Sequence, residues 1–386
     1  MSLTRRSLAL AVLGSLATPA ARASGGAIAL AQICALSGAD ARTGDEWRNG
    51  VEMGAVELNA RGGILGRPVQ LSTYDTQSSP AAARTAALRA LDGDPLALLG
   101  PMAAGTTLAI APLLRERRVA GLSGSDAAAI AGQNNPFLFQ LVPGPAARMA
   151  KLARWVRDGL GGRRIALLWS TQEAERTRRD LLARELRALG LDVAADVALL
   201  PPLPGQPSVP LASEIARITQ ASADAVYLGV SPDLAPRALV ELRRQAPALP
   251  VFGEAPLFSR HVLDQAGGAA IGARAHFSLT ADAPLPGLGE FRERFRLRFA
   301  ELPGAAAMQG YMAIATVSAA ATALGRPDPH ALADALRGLA VTVRQEPGIL
   351  IDTTWSAAGE PDRMSFIAEL RAGGERAWSM LPPLRG

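Results

Sequence analysis

The sequence predicts an α/β protein made of two similar Rossmann-like lobes, and three observations carry that expectation. From residue 27 onward, short β-rich runs alternate with longer helical patterns, the signature of parallel sheets covered on both faces. The alternation comes in two series of similar size, with Pro143-Gly144-Pro145 between them. The chain has 386 residues, and the roughly 360 that follow its first segment are more than one hydrophobic core ordinarily serves.

In the first series the strands are expected at 28–33, 69–74, 97–99 and 119–122. The helix at 45–59 gathers Trp47, Val51, Ala55 and Leu58 on one face, and that at 80–91 does the same with Ala83, Ala87, Leu88 and Leu91. Gly62-Gly63 and Gly100-Pro101 close the units. The second series runs helix 146–160, strand 165–169, helix 176–189, strand 193–199, helix 211–221, strand 225–228, helix 234–245 and strand 251–252. The proline-rich stretch 201–210 reads as a surface loop within it, because the rhythm resumes unchanged afterwards. Two long helical patterns follow between 289 and 324, and β-like runs at 349–354, 364–370 and 377–381 end the chain.

The first segment reads as an export leader rather than as part of the fold. Arg5 and Arg6 precede an apolar run at 8–17, and Ala21-Arg22-Ala23 offers a small-x-small cleavage site before Ser24. The run is too short to span a bilayer. Thr4-Arg5-Arg6-Ser7-Leu8 also suits a twin-arginine signal, so the general and twin-arginine export routes both stay open. A soluble periplasmic protein is expected. Cys34, the single cysteine, permits no intrachain disulfide. It lies at the end of the first strand, away from the cleavage site, so it is expected to be an inert core thiol and not a lipid anchor.

Formal net charge is +5, but three arginines leave with the leader, and +2 remains. Lys151 is the only lysine, and the arginines are interleaved with acids, as in Arg292-Glu293-Arg294 and Arg184-Glu185. Such a surface is a set of solvated helix faces, not a nucleic-acid stripe.

Catalytic constellations are missing. His261, His276 and His330 stand at no metal-ligand spacing, and each is expected at the surface or at a cap. The run 100–107 has the glycine spacing of a phosphate loop, but Thr106 occupies the lysine position. The first strand leads into Ala35-Leu36-Ser37-Gly38, not into the glycine triplet of a dinucleotide turn. Gly121-Leu122-Ser123-Gly124-Ser125 lacks the closing glycine of a nucleophile elbow. No enzyme activity, cofactor or metal is therefore expected. These turns do suit polar ligands: Ser37-Gly38, 103–106 and 123–125 follow three strands of one lobe, at the sheet edge where open α/β folds bind.

Several motifs together resemble a known family. They are Leu36-Ser37-Gly38, Gly44, Gly50, Leu58-Asn59-Ala60-Arg61-Gly62-Gly63-Ile64-Leu65-Gly66-Arg67, Tyr74-Asp75 and Gly100-Pro101, followed by Asn135-Pro136-Phe137-Leu138-Phe139-Gln140 and Asp224-Ala225-Val226-Tyr227-Leu228-Gly229. This pattern resembles the leucine/isoleucine/valine-binding proteins, type I periplasmic receptors of branched-chain amino acid ABC transporters, across essentially the whole mature chain. The resemblance implies two lobes joined by a three-stranded hinge, with crossovers near 142–145, 272–277 and 345–348. Residues 1–23 would then be the signal peptide, 24–143 plus 275–346 the first lobe, and 144–274 plus 347–386 the second.

It also implies a solute receptor, acting as a monomer, that serves an inner-membrane ABC permease and closes on an amino acid, amide or carboxylate. A periplasmic sensor of the same fold is the alternative. The implied ligand contacts are Ser37, Ala103, Ala104, Gly105, Thr106, Ser123, Gly124 and Ser125 in the first lobe, with Ser231 and Glu254 in the second. Glu254 lies beside the position of the family's ammonium-binding acid. Ala174 falls where an aromatic is expected, and Asp126 where many relatives carry a hydroxyl. A carboxylate at 126 disfavours an anionic ligand unless it meets a cation.

Overall fold

The computed structural model of the chain describes residues 26–200, 211–373, 378–382 and 384. The expected leader with its cleavage site, and the surface loop expected at 201–210, lie outside the described residues. The first lobe begins β1 (Ile28–Cys34), α1 (Ala41–Ala60), β2 (Val69–Asp75), α2 (Pro80–Leu91), β3 (Ala97–Leu99), α3 (Ala104–Arg117), β4 (Ala120–Ser123), α4 (Ala128–Ala131) and β5 (Leu138–Gln140). Its sheet has the order β2-β1-β3-β4-β5, with every pairing parallel.

The second lobe follows as α5 (Pro145–Trp155), β6 (Arg164–Ser170), α6 (Glu173–Ala188), β7 (Asp192–Leu199), α7 (Ala212–Gln220), β8 (Ala225–Gly229), α8 (Ala235–Gln245), β9 (Val251–Glu254), α9 (Arg260–Ala266) and β10 (Arg274–Phe277). The chain then returns to the first lobe through α10 (Pro286–Phe299), α11 (Ala305–Leu324) and α12 (Pro329–Leu336). A small antiparallel sheet of β11 (Ala340–Val341), β12 (Thr353–Trp355) and β13 (Pro361–Asp362) comes next, before β14 (Phe366–Leu370) and β15 (Trp378–Met380). The last two strands join the second lobe antiparallel, giving the order β15-β14-β10-β9-β8-β6-β7.

The expected helices and strands of both series are present, with ends shifted by a few residues. The helix expected at 146–160 ends as an α-helix at Trp155 and widens into a π turn over Val156–Leu160. Two expected crossovers lie elsewhere. The stretch 274–277 is a strand within the second sheet, hydrogen-bonded to β9 and β14, so the chain leaves that sheet at 278–285. The stretch 345–348 does not cross either: Ile349 is buried in the first lobe's core, and Glu346 pairs with Arg61 at 2.8 Å. The crossing comes at 363–365, between β13 and β14.

The run from Leu58 to Arg67 is accounted for atom by atom. Gly63 N–H donates to the Leu58 carbonyl (2.9 Å), closing α1, and its φ of 74° is one that glycine adopts without strain. A Cβ there would fall into the Arg67 carbonyl. Ile64 and Arg67 then exchange both backbone bonds in a tight reversal. Asn59 brackets the first residue of β2, donating to Val69 O (2.9 Å) and accepting from Val69 N (2.7 Å).

Each sheet is covered on both faces. In the first lobe, α2 and α3 supply one core, with Ala83, Ala87, Ile110 and Leu114. The other face is covered by α1 together with α10, α11 and α12, where Trp47, Val51, Phe291, Met308 and Leu332 are buried. Helices α1 and α11 cross so closely that glycine is required: a Cβ on Gly50 would enter the Ala307 carbonyl, and one on Gly310 the Trp47 carbonyl. In the second lobe α7, α8 and α9 cover one face, and α5 and α6 the other. No helix among the described residues is long and apolar enough to cross a membrane.

Buried cations tie the crossovers together. Lys151 on α5, 4% exposed, binds Asp362 Oδ1 at 2.5 Å and also the Arg363 carbonyl. The Arg363 guanidinium reaches the Leu141 carbonyl of the first crossover and Met312 Sδ of α11 (3.4 Å). Burial pushes the Arg363 pKa down to about 10, against the pull of Asp362, so it stays charged at neutral pH.

Replacing Gly50 by Ala is expected to destabilise the protein by about 1–3 kcal/mol, because the obstacle is a backbone carbonyl and the two helices must separate. Urea unfolding should show a lower midpoint at an unchanged m value, and an unchanged midpoint would contradict the crossing described.

Candidate functional site

The carboxyl ends of the two parallel sheets face each other. On the first lobe the turns after β1, β3 and β4 contribute Ser37, the stretch 102–106 and Ser123 to Asp126. On the second, the ends of β6, β8 and β9 contribute Ser170, Ser231 and Glu254, while α5 and α6 add Arg148, Glu175 and Arg178. The structure brings Ala103 and Thr106 together with Cys34, Thr43 and Met102 around a cavity of about 180 Å³ at the first lobe's edge. Ala104 and Gly105 open α3 beside it.

The hydroxyls of the first lobe are largely spent on their own turns. Ser37 Oγ donates to Asp75 Oδ2 (2.7 Å), whose other oxygen accepts from Leu36 N (2.8 Å) and Gln77 N (2.7 Å). Thr106 Oγ1 donates to Ala103 O (2.9 Å). Ser123, wholly buried, donates to Pro101 O (2.9 Å), lies 2.9 Å from Thr107 Oγ1, and accepts from Ser125 N (3.1 Å). Gly124 packs where a Cβ would press on Gln309, Met102 and Trp47. The Ser125 carbonyl accepts from Gln140 Nε2 (2.9 Å), which ties this turn to β5. Ser123 and Thr106 thus shape the wall, and backbone atoms and the apolar cavity are what it presents.

The second lobe supplies charge, as four of the five side chains of an alternating chain whose fifth is Asp126 of the first lobe. Arg148 Nη1 bonds Asp126 Oδ2 across the cleft, and Arg148 Nε lies 3.2 Å from Glu254 Oε1. Glu254 Oε2 takes Arg178 Nε at 3.1 Å, and Arg178 Nη1 lies 3.4 Å from Glu175. Arg148 and Glu254 are the most buried of the five, their side chains 9% and 12% exposed, while that of Asp126 is 37% exposed. Burial would raise the Asp126 carboxyl, but the Arg148 guanidinium more than offsets this and holds it below its ordinary value. Burial likewise works against the charge on Arg148, and Glu254 and Asp126 together reverse the effect.

Glu254 therefore has an arginine on each oxygen, and Asp126 has met a cation. Arg148, Arg178 and Glu175 are site residues that no sequence motif singles out. In sequence, Arg178 is one more arginine three residues from an acid. Arg148 left a signal, being a cation on a helix face otherwise made of Met149, Leu152 and Trp155. Ala174 is exposed one turn before Arg178.

His276 is the one histidine that departs from expectation. It is buried in β10, in register with Glu254 on β9, and its Nε2 lies 2.9 Å from Ser365 Oγ. Burial first, then the charges of Arg148 and Lys151, push its pKa down to about 3. Cys34 is 2% exposed, and burial raises its thiol to about 12, which leaves it protonated as a core residue. No cluster of three or more His, Cys, Asp or Glu among the described residues is placed to hold a metal.

The family model described as Periplasmic binding protein matches residues 27–375. A Leu/Ile/Val-binding protein of Rhizobium johnstonii is 30% identical over 118 residues, a stretch covering 30% of this chain and only 31% of that protein. A crystal structure described as a branched-chain amino acid ABC transporter from Rhodospirillum rubrum aligns with a TM-score of 0.79 at 24% identity, covering 91% of this chain and 99% of that one. A solute binding protein of an ABC transporter from R. palustris, in complex with benzoate, aligns at 0.67 and 20% identity, covering 93% and 96%. These structural likenesses establish the two-lobed type I fold.

Two outcomes are expected from the charged chain and its neighbour. Glu254→Ala leaves the buried Arg148 and the partly buried Arg178 with one acid each, Asp126 and Glu175, and should cost about 3 kcal/mol in urea unfolding, near the lower end for breaking a buried pair. His276 is neutral when folded, whereas the unfolded side chain has a pKa near 6.5. Its contribution is complete above pH 6.5 and declines as pH falls toward 3, by up to about 1.4 kcal/mol per pH unit. His276→Gln should flatten that part of the stability curve between pH 6.5 and 5, above the carboxylate range, and an equal slope in both proteins would contradict the assignment.

Proposed function

The chain belongs to the periplasmic binding protein family, and from that premise we propose that it is an exported solute receptor whose lobes close on one small molecule and deliver it to an ABC permease of the inner membrane. The observation that carries this reading is the meeting of two sheet edges across a cleft, with an apolar cavity on one side and a charged wall on the other. Ligands of open α/β folds bind at that edge, and hinge closure around a ligand is an established domain motion. Among the described residues the moving units are 26–140 with 286–362, and 145–200, 211–277, 366–373 and 378–380, turning about the three crossovers.

The solute is a small carboxylate with an apolar body. The Rhizobium johnstonii relative is described as binding leucine, isoleucine and valine, and the R. palustris protein holds benzoate, so a carboxylate is common to both. The cavity of about 180 Å³ lined by Cys34, Ala35 and Met102 suits an aliphatic or small aromatic group. Thr43, Ala103 and Thr106 line the same cavity. The protein acts as a monomer in the periplasm, without catalysis, and its leader is removed before Ser24.

Isothermal titration of residues 24–386, unfolded and refolded to remove carried ligand, against branched-chain amino acids, aliphatic acids and benzoates tests this. One site per chain for a carboxylate is expected, with no chemical change in the solute. Binding confined to polyols or sugars would refute the carboxylate reading.

A further inference from the structure

We propose that Arg148 is the residue on which the cleft recognises an anion, and that Asp126 is a built-in carboxylate that holds this place when no solute is bound. The inference rests on the solute-receptor reading above and names the group that selects its ligand's charge. Arg148 is 8% exposed, yet its five N–H groups are engaged only by Asp126 and Glu254 among the described residues, and Nε makes no hydrogen bond of good geometry. Glu254 moves with Arg148 because both belong to the second lobe, whereas Asp126 belongs to the first. When the lobes part, the Nη1 edge of Arg148 therefore loses its carboxylate, and Glu254, divided between two guanidinium groups, cannot replace it.

A guanidinium edge that has lost its acceptor in the cleft is a strong site for a carboxylate, through charge-assisted hydrogen bonds. On the first lobe the hydroxyls of Ser123, Thr106 and Ser37 already donate to Pro101 O, Ala103 O and Asp75, so that lobe meets the anion with the uncapped backbone N–H groups that open α3, and an anion held between these and Arg148 links the lobes as Asp126 does. Asp126 makes the choice selective. A solute must displace it, and only a group with the same charge and acceptor geometry restores what Arg148 gives up. A neutral amide of the same shape offers one carbonyl and no charge.

Asp126 is half-exposed on a turn, so its side chain can be removed without opening a core. In Asp126→Ala the lobes should no longer be drawn together, and small-angle scattering of the ligand-free protein should give a larger radius of gyration than wild type. Formate should then restore the wild-type radius, while formamide at the same concentration should not. Asp126→Glu should stay compact without either additive. Circular dichroism of each variant confirms that the fold is kept. A radius in Asp126→Ala equal to that of wild type overturns the proposal, and so does an expanded radius that formate and formamide restore equally or not at all. The result is separable from the fate of the receptor reading: rescue by formate alone, with no solute found in titration, sustains the anion site and removes the proposed transport role.

Discussion

The first lobe cannot cover its own sheet. Its opening βα units place α2 and α3 on one face, but on the other α1 alone is too narrow for five strands. The missing cover is α10, α11 and α12, which the chain supplies only after building most of the second lobe. The requirement that both faces of a parallel sheet be buried thus forces the chain to leave and return, and the second lobe's last strands force it to cross once more. The crossovers are the price of completing two cores from one interrupted chain. The glycines at 50 and 310 are where that return is made tight, since α11 must lie against α1 closely enough to seal the apolar layer beneath it.

From this arrangement the cleft follows. Two parallel sheets connected side by side bring their carboxyl edges together, and whatever stands on those edges is shared. One edge has small residues and locally satisfied hydroxyls. The other has five charges in strict alternation, three acids and two arginines, of which one acid is lent by the opposite lobe. Charges at this depth are retained only when each has an opposite neighbour, so the geometry of the wall and the relative position of the lobes are coupled through the contact of Arg148 with Asp126.

Much of the fold was legible in the sequence because its signals are local. The helix at 80–91 and the strand at 97–99 lie where the periodicity and the flanking Gly and Pro put them. The Asn59 and Gly63 motif has a local mechanism as well as a family resemblance. The second and third crossovers lie later in the chain than the resemblance implies, because β10 and the turn at 347–349 gain their positions from partners distant in sequence, β14 and α11, that no local pattern names. The site was less legible for the same reason. A turn's glycines and hydroxyls can be read along the chain, but Glu254 and Arg148 are 106 residues apart in a sequence rich in arginine, and only the fold distinguishes the buried guanidinium from its solvated neighbours. Likewise His276 has an ordinary sequence context, and its burial comes from the strands on either side.

Lys151 has a further consequence. It is the only lysine in the sequence, and its ammonium is enclosed at the junction of the lobes by Asp362 and the Arg363 carbonyl. The described surface therefore presents no side-chain amine at all. Acylating reagents, aldehydes and glycating sugars, which modify most proteins through scattered exposed lysines, meet here a coat of guanidinium groups that they leave largely untouched. The one nucleophilic side-chain nitrogen of that type becomes reachable only when the joint between the lobes comes apart, which makes its acylation a chemical record of hinge failure and not of surface wear.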